Sequence, residues 1–273
     1  MVFADLELAR RLERTEARAC AEFAIARLRV DPASDAAWMN CGGATVVFDG
    51  IDSPITQTFG LGMFAPVTDV VLDEIEEFFA VRGASVQHEV CPLAGVEALD
   101  LLCRRGYRPV EIASVMAQPV WEPQALDGFR IRVREIALEE IPVWSEVSAR
   151  AWSYGHPELL EFVQGFGGIV AAREHTVSFL AEIDGEPAAA GSLSIDEGVA
   201  LFAGAATLAE YRRRGLQGAL LAERMRYAAR AGCDLAMMVA EAGGPSQRNA
   251  ERNGFRIAYT RVKWKLEARA SAS

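Results

Sequence analysis

Apolar residues recur at helical spacing over residues 4–29, where Leu6, Ala9, Leu12, Ala17, Ala21 and Ala24 stand among charged positions; the pattern predicts one long helix. Short β-branched runs then predict strands over 45–48 and 55–59, separated by the turn-forming Asp49-Gly50 and Asp52-Ser53-Pro54. A helix over about 68–82 carries Leu72, Ile75 and Phe79 on one stripe and stops at Gly83. A strand over 85–91, a helix over 96–105 ending at Gly106-Tyr107, and a strand over 110–116 complete the first half.

The second half repeats this order. Strands are predicted over 176–183 and 188–195, joined by the turn Asp184-Gly185-Glu186-Pro187, and over 199–208. A helix over about 216–230 carries Leu221, Met225 and Ala228 at helical spacing and stops at Gly232. A buried-type strand over 234–240, a short helix ending at Gly254-Phe255 and a strand over 257–266 follow. Gly83 and Gly232 stand 149 positions apart, Gly106 and Gly254 148 apart, and each pair ends the corresponding helix. Nearly equal offsets with matching element order point to an internal duplication, with residues 118–123 as a connector.

Composition narrows the classes open to the chain. Its 273 residues suffice for one large or two ordinary domains, and 51% apolar with 24% charged residues is a globular balance. A net charge of −10 argues against general binding to nucleic acid or an anionic membrane, and no apolar run is long enough to span a bilayer. Neither a basic n-region nor a long apolar core opens the chain, so no secretory signal is expected. The five scattered cysteines, without a C-x-x-C pair, fit reduced thiols in the cytoplasm, and the three separated histidines give no reason to expect a metal.

The densest chemistry lies at Tyr211-Arg212-Arg213-Arg214-Gly215-Leu216-Gln217-Gly218-Ala219, between a predicted strand and a predicted helix. Helix N-termini present backbone N–H groups without intrahelical partners and carry partial positive charge. Glycine permits close backbone approach to a phosphate, and arginine adds charge-assisted bonds. A pyrophosphate-bearing ligand is the expectation. The equivalent stretch of the first half, residues 60–69, contains no arginine or lysine, and Asp69, Asp73 and Glu74 open its helix. Carboxylates there suit the helix dipole and repel phosphate, so only the second half is expected to have kept an anion site.

With these residues in view, positions 129–266 resemble the GNAT superfamily of acyl-CoA-dependent N-acyltransferases. The family signature is Arg or Gln, two residues, Gly, one residue, then Gly or Ala; Arg212 to Gln217 matches its first four positions, and Gln217 stands where a small residue is usual. Residues 205–211 resemble the family's fourth strand, and Gly254-Phe255 its glycine–aromatic pair. The resemblance implies an α/β (α+β) fold of mixed, mostly antiparallel sheets flanked by helices, in tandem. A degenerate domain is expected over 1–120 and a catalytic one over 129–273, with a linker at about 121–128.

It also implies roles. Backbone groups of Ala205, Ala206 and Thr207 would pair with the pantetheine arm of acetyl-CoA as an added strand. N–H groups from Arg213 through Gly215, Leu216 and Gln217 to Gly218, with Ala219 next, would cradle the pyrophosphate. The side chains of Arg212, Arg213 and Arg214 would reach the adenosine phosphate or remain solvated. Ser246 and Asn249 would contact coenzyme A, although helix capping equally explains Ser246. Arg248 and Arg252 would be similar outer contacts, although exposed helix charge explains them more readily.

Chemistry in the family is direct transfer, in which a neutral amine attacks the thioester carbonyl and a strand N–H stabilises the oxyanion. Many members place a tyrosine four residues before the glycine–aromatic pair to protonate the leaving thiolate; here that residue is Ala250. Glu241 is the candidate base, or a solvated strand-end carboxylate. Tyr259 is the candidate acid, or a half-buried sheet tyrosine. Trp152, Ser153, Tyr154, His156, Phe162 and Phe166 would line the acceptor site or serve as core.

The expected activity is N-acetylation of the primary amine of a small molecule by a monomer or homodimer, with acetyl-CoA as cosubstrate. A non-catalytic acyl-CoA-binding or regulatory protein is the alternative. A nucleotide-binding fold is disfavoured, because G-x-x-x-x-G-K-[ST] is absent and the turn follows antiparallel-type strands.

Overall fold

The computed structural model describes residues 3–123 and 130–267. Of the expected linker, residues 124–128 lie outside the described residues, as do 129 and 268–273 at the ends of the expected second domain. The chain divides into two compact units, one of residues 1–117 with 239–273 and the other of 118–238.

In the first unit, α1 (Leu6–Val30) begins at Asp5, whose carboxylate accepts from the Leu8 N–H. Strands β1 (Ala37–Cys41), β2 (Ala44–Phe48) and β3 (Gln57–Phe59) follow as an antiparallel meander. Helix α2 (Asp69–Ala80), β4 (Val86–Val90), α3 (Val96–Arg104) and β5 (Arg108–Pro119) come next. Two later elements join them: α7 (Pro245–Arg252) and β11 (Arg256–Leu266). The strand order is β1-β2-β3-β4-β11-β5.

Strand alternation explains how this sheet is covered on both faces. Val46 packs in a core with Leu72, Ile75 and Phe79 of α2, whereas its neighbour Val47 packs with Ala17, Cys20 and Ala24 of α1. β11 lies antiparallel to both flanking strands, pairing Val262 with Val90 of β4 and with Ile112 of β5. The compact units therefore differ from the expected domains 1–120 and 129–273. Residues late in the second half complete the first unit, because their strand fills the place between β4 and β5.

β11 also brings charge into that core. Arg261, buried, faces Glu13 at 3.4 Å, Glu16 at 2.6 Å and Glu89 at 3.0 Å, and Lys263 lies 3.4 Å from Glu89. Burial raises the Glu13 pKa above its ordinary 4.5, against the lowering pull of Arg261. A carboxyl whose folded pKa is raised contributes stability that is fully present below the unfolded pKa and is lost as pH rises through the folded pKa. Glu13→Gln, which mimics the protonated form, is expected to remove that loss. Urea midpoints of wild type and variant measured from about pH 4 to 8 should diverge upward in the variant's favour; parallel curves would show that Glu13 is charged in the fold at all these pH values.

The second unit contains β6 (Ile131–Glu135), α4 (Ile141–Trp152), α5 (Leu160–Ala171), β7 (Thr176–Ile183), β8 (Glu186–Asp196), β9 (Val199–Thr207), α6 (Leu216–Arg230) and most of β10 (Leu235–Glu241). Its strand order is β10-β9-β8-β7-β6, with every pair antiparallel except β9–β10. Leu180 packs in a core with Trp144 and Val147 of α4, while adjacent Phe179 meets Tyr227 of α6 edge-on at 5.7 Å. Both units are thus mixed α/β structures of mostly antiparallel sheet flanked by helices.

Candidate acyl-CoA site

The strand–turn–helix singled out by its arginines is formed by β9, a 3-10 turn at Ala209–Tyr211 and α6. Two residues of the turn, Arg213 (φ 62°) and Gly215 (φ 91°), adopt the left-handed region. Glycine does so freely, whereas arginine pays about 1–2 kcal/mol for it. Gly215 is the N-cap of α6, no side chain caps the helix, and its first turn has no acid. The N–H groups of Leu216, Gln217 and Gly218 therefore begin the helix without a capping side chain; Ala219 N donates to Gly215 O at 3.0 Å.

The corresponding helix of the first unit is finished differently. Thr68 caps α2, its hydroxyl accepting from Val71 N at 3.3 Å. Asp69 and Asp73 of that helix's first turns, with Glu76, are held by Arg105 at 3.1, 2.5 and 2.9 Å. Its N-terminus is satisfied internally by a hydroxyl and surrounded by acids.

Two side chains tie the second unit's turn to the end of β9. Arg212 Nε donates to the Thr207 carbonyl at 3.3 Å, and Gln217 Nε2 donates to Thr207 Oγ1 at 2.8 Å. Gln217, out of the family pattern, thus has a structural task at the mouth of the turn. The Arg212 guanidinium also lies over the Tyr154 ring at 4.6 Å, and Arg214 over Tyr211 at 5.4 Å. Arg212, Arg213 and Arg214 are all exposed, and Arg213 has no ion pair or ring contact among the described residues.

β9 itself changes partners along its length. Its parallel pairing with β10 covers only Val199, Ala200 and Leu201. Beyond Leu201 the register with β8 shifts between the pairs Ser192–Ala203 and Ala190–Ala206, and Gly204 lies at φ 63°. The stretch containing Ala205, Ala206 and Thr207 is paired to β8 on one side and has left β10 on the other. Such an edge can hydrogen-bond the amides of an extended ligand arm.

The remaining sequence-derived candidates lie in several settings. Glu241, at the end of β10, is exposed, and its carbonyl accepts from Gly244 N at 3.1 Å in the turn before α7. Ser246 is exposed and does not cap α7; Asn249 is half-buried, and its carbonyl accepts from Asn253 Nδ2 at 2.7 Å. Ala250 is fully buried. Tyr259, 7% exposed in the first unit, donates its hydroxyl proton to Glu13 Oε1 at 2.8 Å, and burial raises its pKa. Its hydroxyl proton is thus engaged by a carboxylate within the first unit.

Trp152, Tyr154, His156 and Phe162 are exposed, Phe166 is half-buried and Ser153 is buried, donating to Ala149 O at 2.7 Å. Phe162 and Phe166 lie 6.2 Å apart, and His156 Nδ1 lies 3.2 Å from Glu158. Among the described residues no group of three or more His, Cys, Asp or Glu side chains is placed to hold a metal, and no helix is long and apolar enough to cross a membrane.

Two features escaped the sequence reading. Gly204 was visible as a lone glycine in a strand pattern, which often marks a bulge. Arg224 was visible as a charge on the Leu216–Leu220–Ala228 stripe of α6, and it is buried.

An uncapped, acid-free helix start beside a splayed strand edge is a geometry able to receive an anion and an extended amide-bearing arm. The Acetyltransferase (GNAT) family model matches residues 137–255, and this segment is a GNAT-family domain. The fold is similar to that of a GCN5-related N-acetyltransferase from Kribbella flavida, at 20% identity, 90% of this chain and 95% of that one, with TM-score 0.63. It is also similar to a tandem GNAT protein from the clavulanic acid biosynthesis pathway (14% identity, 85% and 80% coverage, TM-score 0.59). A GCN5-related N-acetyltransferase from Sphaerobacter thermophilus compares at 20% identity, 82% and 80% coverage and TM-score 0.52. No curated protein sequence matches the chain.

Proposed function

We propose that this protein is an acetyl-CoA-dependent N-acetyltransferase acting on the primary amine of a small molecule, with its donor site in the second unit. The observation that carries this reading is the contrast between two equivalent helix starts. α2 is capped by Thr68 and fringed with acids, whereas α6 is uncapped, acid-free and preceded by three arginines. Only α6 is fit for a pyrophosphate. The first half is then the degenerate member of a tandem pair, in keeping with the likeness of fold, over 85% of this chain, to a tandem GNAT protein.

In this reading the edge at Ala205–Thr207 binds the pantetheine arm, and the N–H groups from Arg213 to Gly218 hold the pyrophosphate. The amine nitrogen bonds to the thioester carbon, a β9 N–H stabilises the oxyanion, and the C–S bond breaks to release thiolate. Glu241 is the candidate base that the sequence offers for the amine proton, which otherwise passes to bulk water. The thiolate is weakly basic, so water can protonate it, and neither Ala250 nor Tyr259 is needed as an acid. The exposed aromatic segment of Trp152, Tyr154 and Phe162 is the acceptor's platform, joined to the donor turn by the Arg212–Tyr154 stack. Free cysteines throughout the described chain accord with a cytoplasmic setting.

Acetyl-CoA at about 100 times its Kd is expected to add about 2.7 kcal/mol of stability, read as a rise in Tm with ligand concentration. No shift at millimolar acetyl-CoA overturns the donor assignment. Thiol release over a panel of small amines then tests catalysis. Binding without turnover on any amine would favour the acyl-CoA-binding alternative, for which Ala250 at the usual tyrosine position is the motive.

A further inference from the structure

Arg224 occupies the core-facing stripe of α6, where Leu220 precedes and Ala228 follows it by one turn, and it is 1% exposed. Among the described residues its guanidinium meets no carboxylate. Nε donates to Leu220 O at 3.3 Å, and Nη1 donates to Ser192 O at 3.1 Å and Ala203 O at 3.4 Å. The group also lies over the Phe202 ring at 5.0 Å. Burial without an anion pulls its pKa down to about 10. An aliphatic side chain would fill this stripe without that desolvation cost, so packing alone does not explain an arginine here.

The two strand carbonyls it holds belong to the Ser192–Ala203 pair, which borders the β8–β9 register shift on one side. Ser192 pairs with Ala203 and Ala190 with Ala206, so Gly204 and Ala205 oppose Gly191 alone. A Cβ on Gly191 would stand 3.5 Å from Arg224 Cζ and 3.6 Å from Ala205 Cβ, which places the guanidinium directly against the bulge. The carbonyl of Ala203 belongs to the same peptide unit as the Gly204 N–H. A charged donor on that carbonyl polarises the unit and strengthens its N–H as a donor.

We propose that Arg224 is a positioning residue that clamps the β9 bulge through the Ser192 and Ala203 carbonyls. It thereby holds the Gly204–Thr207 edge in the orientation that receives the acyl-pantetheine arm. The inference rests on the acyl-CoA reading above and adds a residue distant from the phosphate turn to its machinery. A clamp of this kind acts before ligand arrives, because the bulge is part of the folded sheet.

The test compares wild type with Arg224→Met, Arg224→Lys and Gly204→Ala, and with the Arg224→Met/Gly204→Ala double variant. Acetyl-CoA affinity is measured by calorimetry, and amide hydrogen exchange of residues 199–207 is followed without ligand. Arg224→Met is expected to weaken acetyl-CoA binding about tenfold to hundredfold, as misplacement of a site by about 1 Å does. Exchange in the 199–207 segment should accelerate, and Arg224→Lys should restore much of both properties. Gly204→Ala disturbs the same bulge directly, so the double variant should lose less than the product of the single losses.

Folded Arg224→Met with wild-type affinity and unchanged exchange would reduce Arg224 to core filling and overturn the proposal. Should Arg224→Met not fold, Arg224→Gln and the Gly204→Ala/Arg224→Gln pair carry the same comparison, and full additivity there overturns it. Wild type that fails to bind acetyl-CoA refutes the donor assignment instead; the exchange measurement still decides whether Arg224 holds the bulge.

Discussion

Gly218→Asp is expected to leave the protein folded, with a melting temperature at or above that of wild type, and to weaken acetyl-CoA binding by about two to three orders of magnitude. Gly218 is the third residue of α6, and a Cβ added there meets nothing within 4 Å. Replacing a helical glycine relieves up to about 1 kcal/mol, and a carboxylate in the first turn adds about 0.3–1 kcal/mol through the helix dipole. The same carboxylate occupies the N–H groups that a pyrophosphate needs and sets a like charge against it. At an effective dielectric of about 20 and 4–6 Å, such repulsion is on the order of 3–4 kcal/mol, or about two to three orders of magnitude in Kd. Gly218→Ala is the control, since it gains the helix propensity and leaves the anion site open. Calorimetric titration of both variants decides the matter: a folded Gly218→Asp protein binding as tightly as Gly218→Ala would remove the pyrophosphate from this helix.

Arg261→Met should destabilise the protein by about 3–5 kcal/mol, because removing one partner of a buried ion network leaves the others uncompensated. Glu13, Glu16 and Glu89 surround this one guanidinium, and Lys263 approaches only Glu89 among them. Methionine replaces the bulk of the side chain, so the loss reports charge more than cavity. The effect should be largest at high pH, where Glu13 is ionised, and should shrink on acidification as Glu13 takes up its proton. Urea denaturation at pH 8 and pH 5 supplies both numbers. An unchanged midpoint at pH 8 would mean that the network is solvated and that β11 is held by packing alone.

Much of the strand–turn–helix proposed to hold the donor was legible because its signals are local. Gly83, Gly106, Gly232 and Gly254, read as helix stops, all adopt positive φ, from 66° to 97°. The turn from Arg212 to Gly218 combines residue types whose conformational needs do not depend on distant partners. What was missed is non-local or lies at a sheet margin. β1, an edge strand, and β6, with its alternating Ile131-Arg132-Val133-Arg134-Glu135, bury one face only and gave weak runs. The alternation in β11 revealed a strand but could not name its neighbours, since period two identifies a face and not a partner. For the same reason the donation from Tyr259 to Glu13, across 246 positions, turned an apparent sheet tyrosine into part of a buried acid network. Arg224 stood in plain sight, but an arginine on a helix stripe is ordinarily solvent-facing until the strands beneath it are known.

The place of β11 between β4 and β5 has a consequence for how the molecule is made. A ribosome adds about 5–20 residues per second, so roughly 140 residues and ~7–30 s separate the emergence of β5 from that of β11. Throughout that interval the nascent N-terminal segment has two strands lacking their shared neighbour and acidic side chains lacking Arg261. Unpaired strand edges are the usual sites of misassociation during synthesis. The unit translated first is therefore the one completed later, and its vulnerable period is set by the translation time of the second unit.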